Sequence, residues 1–124
     1  MAKRPKNTAK KIISFAQEKK AEDILLFDLR GITTMTDFFV ICSGTSDTHV
    51  KAIAESVIEG CRKDRIDVYH VEGLGGSLNW VLIDLVDIVV HVFLPDTRKY
   101  YQLERLWGDA KIERYDDEGR EAVR

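Results

Sequence analysis

The run DFFVICS, Asp37–Ser43, constrains this chain more than any other stretch. It has strand length, and its apolar residues follow one another instead of alternating with polar ones. Side chains of a strand point in turn to its two faces. A continuous apolar run therefore suits a strand covered on both sides. Ile24–Leu29 (ILLFDL) and Ile88–Leu94 (IVVHVFL) have a similar character. A sheet with such strands needs helices packed on it.

The rest of the chain supplies those helices. After Thr8, a possible cap, Ala9, Ile12, Ile13 and Ala16 recur at helical spacing with lysines on the other side, predicting a helix to about Lys20. Val50, Ile53, Ala54, Val57, Ile58 and Cys61 mark a second helix, opened by Ser46 or Asp47 and closed by the charged run Arg62–Arg65. Val68–Glu72 reads as a strand, followed by a loop with Gly73, Gly75, Gly76 and Ser77. Trp80–Leu85 and Ile88–Leu94 read as a hairpin across Val86-Asp87. Pro95-Asp96 opens a last helix with Tyr100, Leu103, Leu106 and Trp107 on one side and Gly108 as its stop. The order α-β-β-α-β-β-β-α predicts one α/β domain with a mixed sheet of about five strands, flanked by helices. The expected boundaries are a flexible basic lead-in over 1–7, the domain over 8–112 and a disordered polar tail over 113–124.

Length and charge narrow the function. At 124 residues and 44% apolar, the chain suits one domain able to bury a core. Residues 1–20 hold seven basic side chains against the single acid Glu18, a net +6, while the other 104 residues carry −8. A net charge of −2 argues against a dedicated DNA binder. The acidic body favours a basic partner, and the basic end could add salt-sensitive contact with RNA. Cys42 and Cys61 are too few for a disulfide framework and read as reduced, buried residues. No apolar run reaches membrane-spanning length, and the first residues lack a signal-peptide core. The expectation is a cytoplasmic protein.

Two places could carry chemistry. Ser43–His49 (SGTSDTH) joins a strand to a helix start, where free N–H groups can hold an anion. It lacks the Gly-Lys-Ser/Thr ending of a P-loop, and a capped turn is the better explanation. Asp84, Asp87 and His91 suggest a metal or acid–base group, but one carboxylate and one imidazole on a face are too few for zinc or magnesium. If Val86-Asp87 is a two-residue loop, Leu85 pairs with Ile88, Asp84 opposes Val89, and Leu82 opposes His91. Trp80, Leu82, Asp84, Val89, His91 and Phe93 then share one face, with Asp84 and His91 near enough for an ion pair or a bridging water. Aromatics beside a few polar groups fit a protein-binding patch; packing of Trp80 and Phe93 under a helix, with Asp84 at the rim, fits equally. Nothing in the residues defines a catalytic set, a metal site or a cofactor.

These segments carry a resemblance. DFFVICSGTSDTHVKAIAESV, then VEG, then NWVLIDLVDIVVHVF, then Tyr101-Gln102-Leu103-Glu104-Arg105-Leu106-Trp107 look like the RsfS/Iojap family of ribosomal silencing factors, over about Thr8 to Asp109. The resemblance implies an α/β fold related to nucleotidyltransferases. It also implies binding to the large ribosomal subunit through ribosomal protein L-fourteen, obstruction of subunit joining, and repression of translation. Organellar relatives imply a part in large-subunit assembly, and homodimers are implied for several members. The matching positions are Glu72, Gly73, Trp80, Asp84, Asp87, His91 and the Tyr101–Trp107 stretch. The docking role falls on Trp80 as aromatic anchor and Asp84 as acceptor for basic groups, with Leu82, His91, Glu72 and Gly73 around them. Asn79 stands where the family often has Asp, and Val86 where it often has Gly.

A nucleotidyltransferase-like enzyme is the alternative. It would need carboxylates holding metal ions beside the glycine turn, and the chain lacks an Asp-x-Asp pair after the helix that follows. Fold kinship does not carry activity. The expectation is a ribosome-binding protein that binds no nucleotide and is not an enzyme.

Overall fold

A computed structural model describes residues 6–115. Its elements are α1 (Lys6–Gln17), β1 (Glu22–Asp28), β2 (Phe38–Ser43), α2 (Asp47–Lys63), β3 (His70–Glu72), β4 (Trp80–Asp84), β5 (Ile88–Phe93), α3 (Pro95–Tyr101), α4 (Leu103–Leu106) and β6 (Lys111–Tyr115). One six-stranded sheet runs in the order β3-β4-β5-β2-β1-β6. β2 and β5 are parallel, and every other pair is antiparallel. Among the described residues, no helix is long and apolar enough to cross a membrane.

The α/β class, the mixed sheet and the hairpin register agree with the sequence. Leu82 opposes His91 and Asp84 opposes Val89. Ser46 caps α2, its Oγ accepting the His49 N–H at 3.1 Å. Both cysteines are free and buried, and burial pushes the Cys42 thiol up to about 12, which keeps it protonated and inert.

Four expectations need correction. There are six strands, not five: Lys111–Tyr115 pairs with β1 and crosses the expected boundary at 112/113. Its polar sequence hid it, because an edge strand tolerates the charges that a central one does not. α1 begins at Lys6, so Thr8 lies inside the helix and does not cap it. It ends at Gln17, and the chain turns through Lys20 at φ +62°. The last helix is broken at Gln102, whose φ of +47° turns the chain between α3 and α4. Leu103 and Trp107 therefore pack on the sheet while Tyr100 and Leu106 stay exposed. Residues 1–5 of the expected lead-in and 116–124 of the expected tail lie outside the described residues.

The two faces of the sheet are covered differently. α1 and α2 pack on one, over a core that includes Ile24, Leu26, Val40, Val81, Ile83, Val90 and Val92. Gly60 of α2 lets the helices approach closely, since a Cβ there would meet the Phe15 ring of α1. The other face has a smaller core of Leu25, Phe27, Leu29, Ile41 and Phe93, roofed by Leu103, Trp107 and Ala110. That roof spans only β1, β2 and the end of β5. The stretch over β3, β4 and the start of β5 is left open.

Candidate protein-binding groove

The open stretch is a groove of about 650 Å³. Register places its floor. Reading across the sheet, one row runs Glu72–Leu82–His91–Ile41, and the next runs His70–Asp84–Val89–Phe39. Along the first row burial increases from exposed Glu72 through half-buried Leu82 to buried His91 and Ile41, while in the second Asp84, Val89 and Phe39 are all half-buried. Trp107, from the turn after α4, closes the β2 side with its ring edge-on to Phe39 at 5.8 Å. Met35, Tyr69 and Val86 form the rim and are 81%, 75% and 59% exposed. Isolated exposed apolar residues are ordinary, but three around one apolar groove mark a surface built for contact.

The groove has a definite electrostatic character. Glu72 and Asp84 line it, and none of the described residues lining it is Lys or Arg. His91 adds no charge near neutral pH, because burial pulls its imidazole down to about 4. Its Nδ1 accepts the Trp80 indole N–H at 3.1 Å, so a neutral ring carries its proton on Nε2. That N–H is buried and, among the described residues, has no acceptor. The expected contact of Asp84 with His91 is not made. Asp84 Oδ1 instead accepts the Val86 N–H at 2.7 Å, because the tight hairpin presents that donor two residues on. The Asp87 N–H bonds the Leu85 carbonyl at 3.0 Å across Val86, whose φ is +76°. This is a γ-turn of the strained, positive-φ kind, with a β-branched residue at its centre.

Of the residues singled out in the sequence, Leu82, Asp84, His91 and Glu72 line the groove. Trp80 stands at its end, half-buried, between Tyr101 at 4.7 Å and Phe93 at 4.8 Å. Gly73 is outside it. With φ +90° it turns β3 into the loop, and a Cβ there would collide with the Trp80 carbonyl oxygen. Asp87 serves the turn, its carbonyl accepting the N–H groups of Asp37 and Phe38. Sequence reasoning missed Phe39, Met35, Tyr69 and Val86 as groove residues. The unalternated run Asp37–Ser43 held a signal for Phe39, since one of its two faces had to meet this surface.

The Ser43–His49 segment is a capped turn in which the Thr45, Thr48 and His49 N–H groups are bonded within the segment and that of Gly44 to the Phe93 carbonyl. The Thr45 N–H bonds His49 Nδ1 at 2.8 Å, and the Thr48 N–H bonds Asp47 Oδ1 at 2.7 Å. His49 Nε2 bonds the Lys19 carbonyl at 2.6 Å and ties the α2 start to the end of α1.

Comparison with known proteins adds an independent line. The family profile described as "Ribosomal silencing factor during starvation" (RsfS) matches residues 2–124. The chain is similar to the ribosomal silencing factor RsfS of Bacillus subtilis, 48% identical over 95 residues, covering 77% of this chain and 80% of that protein. It is 34% identical over 99 residues to a mouse protein named for mitochondrial assembly of the ribosomal large subunit, covering 77% of this chain and 43% of that one. A crystal structure of a Chromobacterium violaceum protein superposes with a TM-score of 0.82 at 35% identity, covering 86% of this chain and 88% of that one.

Proposed function

The chain belongs to the RsfS family of ribosomal silencing factors, and on that premise we propose that its groove docks on the large ribosomal subunit through a basic ribosomal protein, L-fourteen. Bound there, the protein obstructs joining of the small subunit and so represses translation. The observation that carries this reading is the groove: apolar Leu82, Val89 and Phe39 on its floor, an exposed apolar rim, two carboxylates and, among the described residues, no Lys or Arg in its lining. An apolar anchor flanked by Lys or Arg would fill it and pair with Glu72 and Asp84. Trp80 supports the site by holding the His91 ring, and Gly73 shapes the turn that carries Glu72 to its edge. The work is done by binding, in the cytoplasm, without a catalytic step. A part in large-subunit assembly is a second reading, favoured by the mouse relative's name, and it uses the same contact.

The test is sedimentation with purified ribosomal subunits at low and moderate salt. Co-migration with the large subunit alone is expected, with loss in Leu82→Arg, which puts a cation on the groove floor. A folded Leu82→Arg chain that co-migrates like the parent would remove the groove from the contact.

A further inference from the structure

A second hollow, of about 370 Å³, lies away from the groove, at the carboxyl ends of β2 and β5. The topology marks this place. β2 and β5 are adjacent and parallel. The chain leaves β2 into α2 on one face of the sheet, and leaves β5 into α3 and α4 on the other. Open α/β sheets bind ligands in the crevice opened where neighbouring connections diverge in this way.

Arg98 is built into that crevice. It is buried, with only 8% of its surface exposed. Its Nη1 donates to Ser43 Oγ at 2.9 Å, and its Nε lies 3.6 Å from Glu104 Oε2. Among the described residues those are its side-chain partners, which is little for a guanidinium with five N–H donors. A buried charge normally takes close, multiple pairing. Lys99 and Arg105 line the same hollow, against the carboxylates Asp23 and Glu104. An adjoining hollow shares Arg98 and adds Arg114. Glu104 Oε1 is buried and, among the described residues, meets no donor. The crevice thus offers unused guanidinium donors, a cationic rim and one unmet acceptor.

We infer that this crevice binds a small phosphorylated metabolite that also carries hydroxyl groups, of the nucleoside monophosphate class. The phosphate sits against Arg98 and Ser43 between Lys99 and Arg105, and a sugar hydroxyl donates to Glu104. Guanidinium–phosphate pairing suits the planar fork of Arg98. Ligand contacts to Lys99 and Arg105 would join α3 to α4 across the Gln102 break.

Titration of the full chain with adenosine monophosphate, inorganic phosphate and adenosine, followed by backbone amide NMR, tests this. Saturable shifts at Ser43, Arg98, Lys99 and Arg105 are expected with the monophosphate, weaker ones with phosphate, and none with adenosine. Lys99→Gln with Arg105→Gln should weaken monophosphate binding about tenfold or more, since a hydrogen bond to a charged group is worth at least that. Both side chains are on the rim, so the variant keeps the fold. Arg98→Gln should abolish binding, and if it unfolds the rim variant decides alone. Equal binding of adenosine and its monophosphate, no saturable shift with any probe, or unchanged affinity in the rim variant would each overturn the inference.

Discussion

β4 and β5 show the same backbone serving opposite ends on its two faces. Val81, Ile83, Val90 and Val92 point under α1 and α2 and are wholly buried. Leu82, Asp84 and Val89, one residue out of phase, line an open groove. The covered set is all β-branched, while the groove set includes Leu82 and Asp84, yet both sets sit in the same two strands. What separates them is cover: α1 and α2 together span their face, whereas the α3–α4 corner reaches only the Trp80 end of β4 and leaves the rest of β4 and β3 open. The apolar residues left over are the ones a partner would bury.

The comparison breaks most sharply by shaving one residue from each face. Ile83→Ala should destabilise the fold by about 2–5 kcal/mol, through lost burial and a cavity that its neighbours cannot fill. Leu82→Ala should stay within about 1 kcal/mol of the parent, yet weaken association with the large subunit. Denaturant melts and sedimentation read the two effects separately. Equal destabilisation by both would mean the groove floor is core.

His91 sharpens the contrast, because this groove residue, like Thr36, is buried as a core residue would be. Its folded pKa, about 4, lies below the ordinary 6.5, and desolvation is the cause. Above pH 6.5 the ring is neutral whether folded or unfolded, and stability is unaffected. As pH falls, the unfolded chain takes up the proton first, so stability declines from about 6.5 and the full loss is reached below about 4. The limit is about 3 kcal/mol. Melting temperatures of the parent and His91→Gln between pH 7 and 5 check this: the parent should lose stability faster. Parallel curves would show that the ring is hydrated.

Trp80→Ala should cost on the order of 2 kcal/mol in large-subunit affinity. The indole packs on Tyr101 and donates to the imidazole, so its loss frees the ring that floors the groove. Unchanged affinity in a folded variant would make Trp80 a bystander to docking.

The sequence disclosed the groove face because a two-residue hairpin fixes register, and register fixes which side chains share a face. Val86-Asp87 was enough to bring Leu82 opposite His91. It could not disclose how far the other face's roof extends. That depends on Gln102 taking a left-handed conformation, which glutamine does not announce. Without the break, Tyr100, Leu103, Leu106 and Trp107 read as one helical stripe, and Trp107 is not seen to reach Phe39. β6 escaped for a related reason. Ile112 packs on the open-face core and Tyr115 on the covered one, but two residues among charges give no clear period. The crevice around Arg98 was equally hidden, since it joins Ser43 to residues 55 positions away.

Val86 gives the smallest expected effect and the one that sets the two faces against each other. A β-branched side chain at φ +76° is strained, and here it is also 59% exposed on the groove rim. Strain held at an exposed apolar position is better explained by contact than by folding. Val86→Gly should relieve it and stabilise the chain by about 1 kcal/mol, less the backbone freedom that glycine gains when unfolded. The same change removes an apolar rim group and should weaken large-subunit binding. Stability and affinity would then move in opposite directions at one residue, as they should where the sheet face serves a partner instead of the core. A Val86→Gly chain that is both less stable and equally tight in binding would place Val86 with the core residues after all.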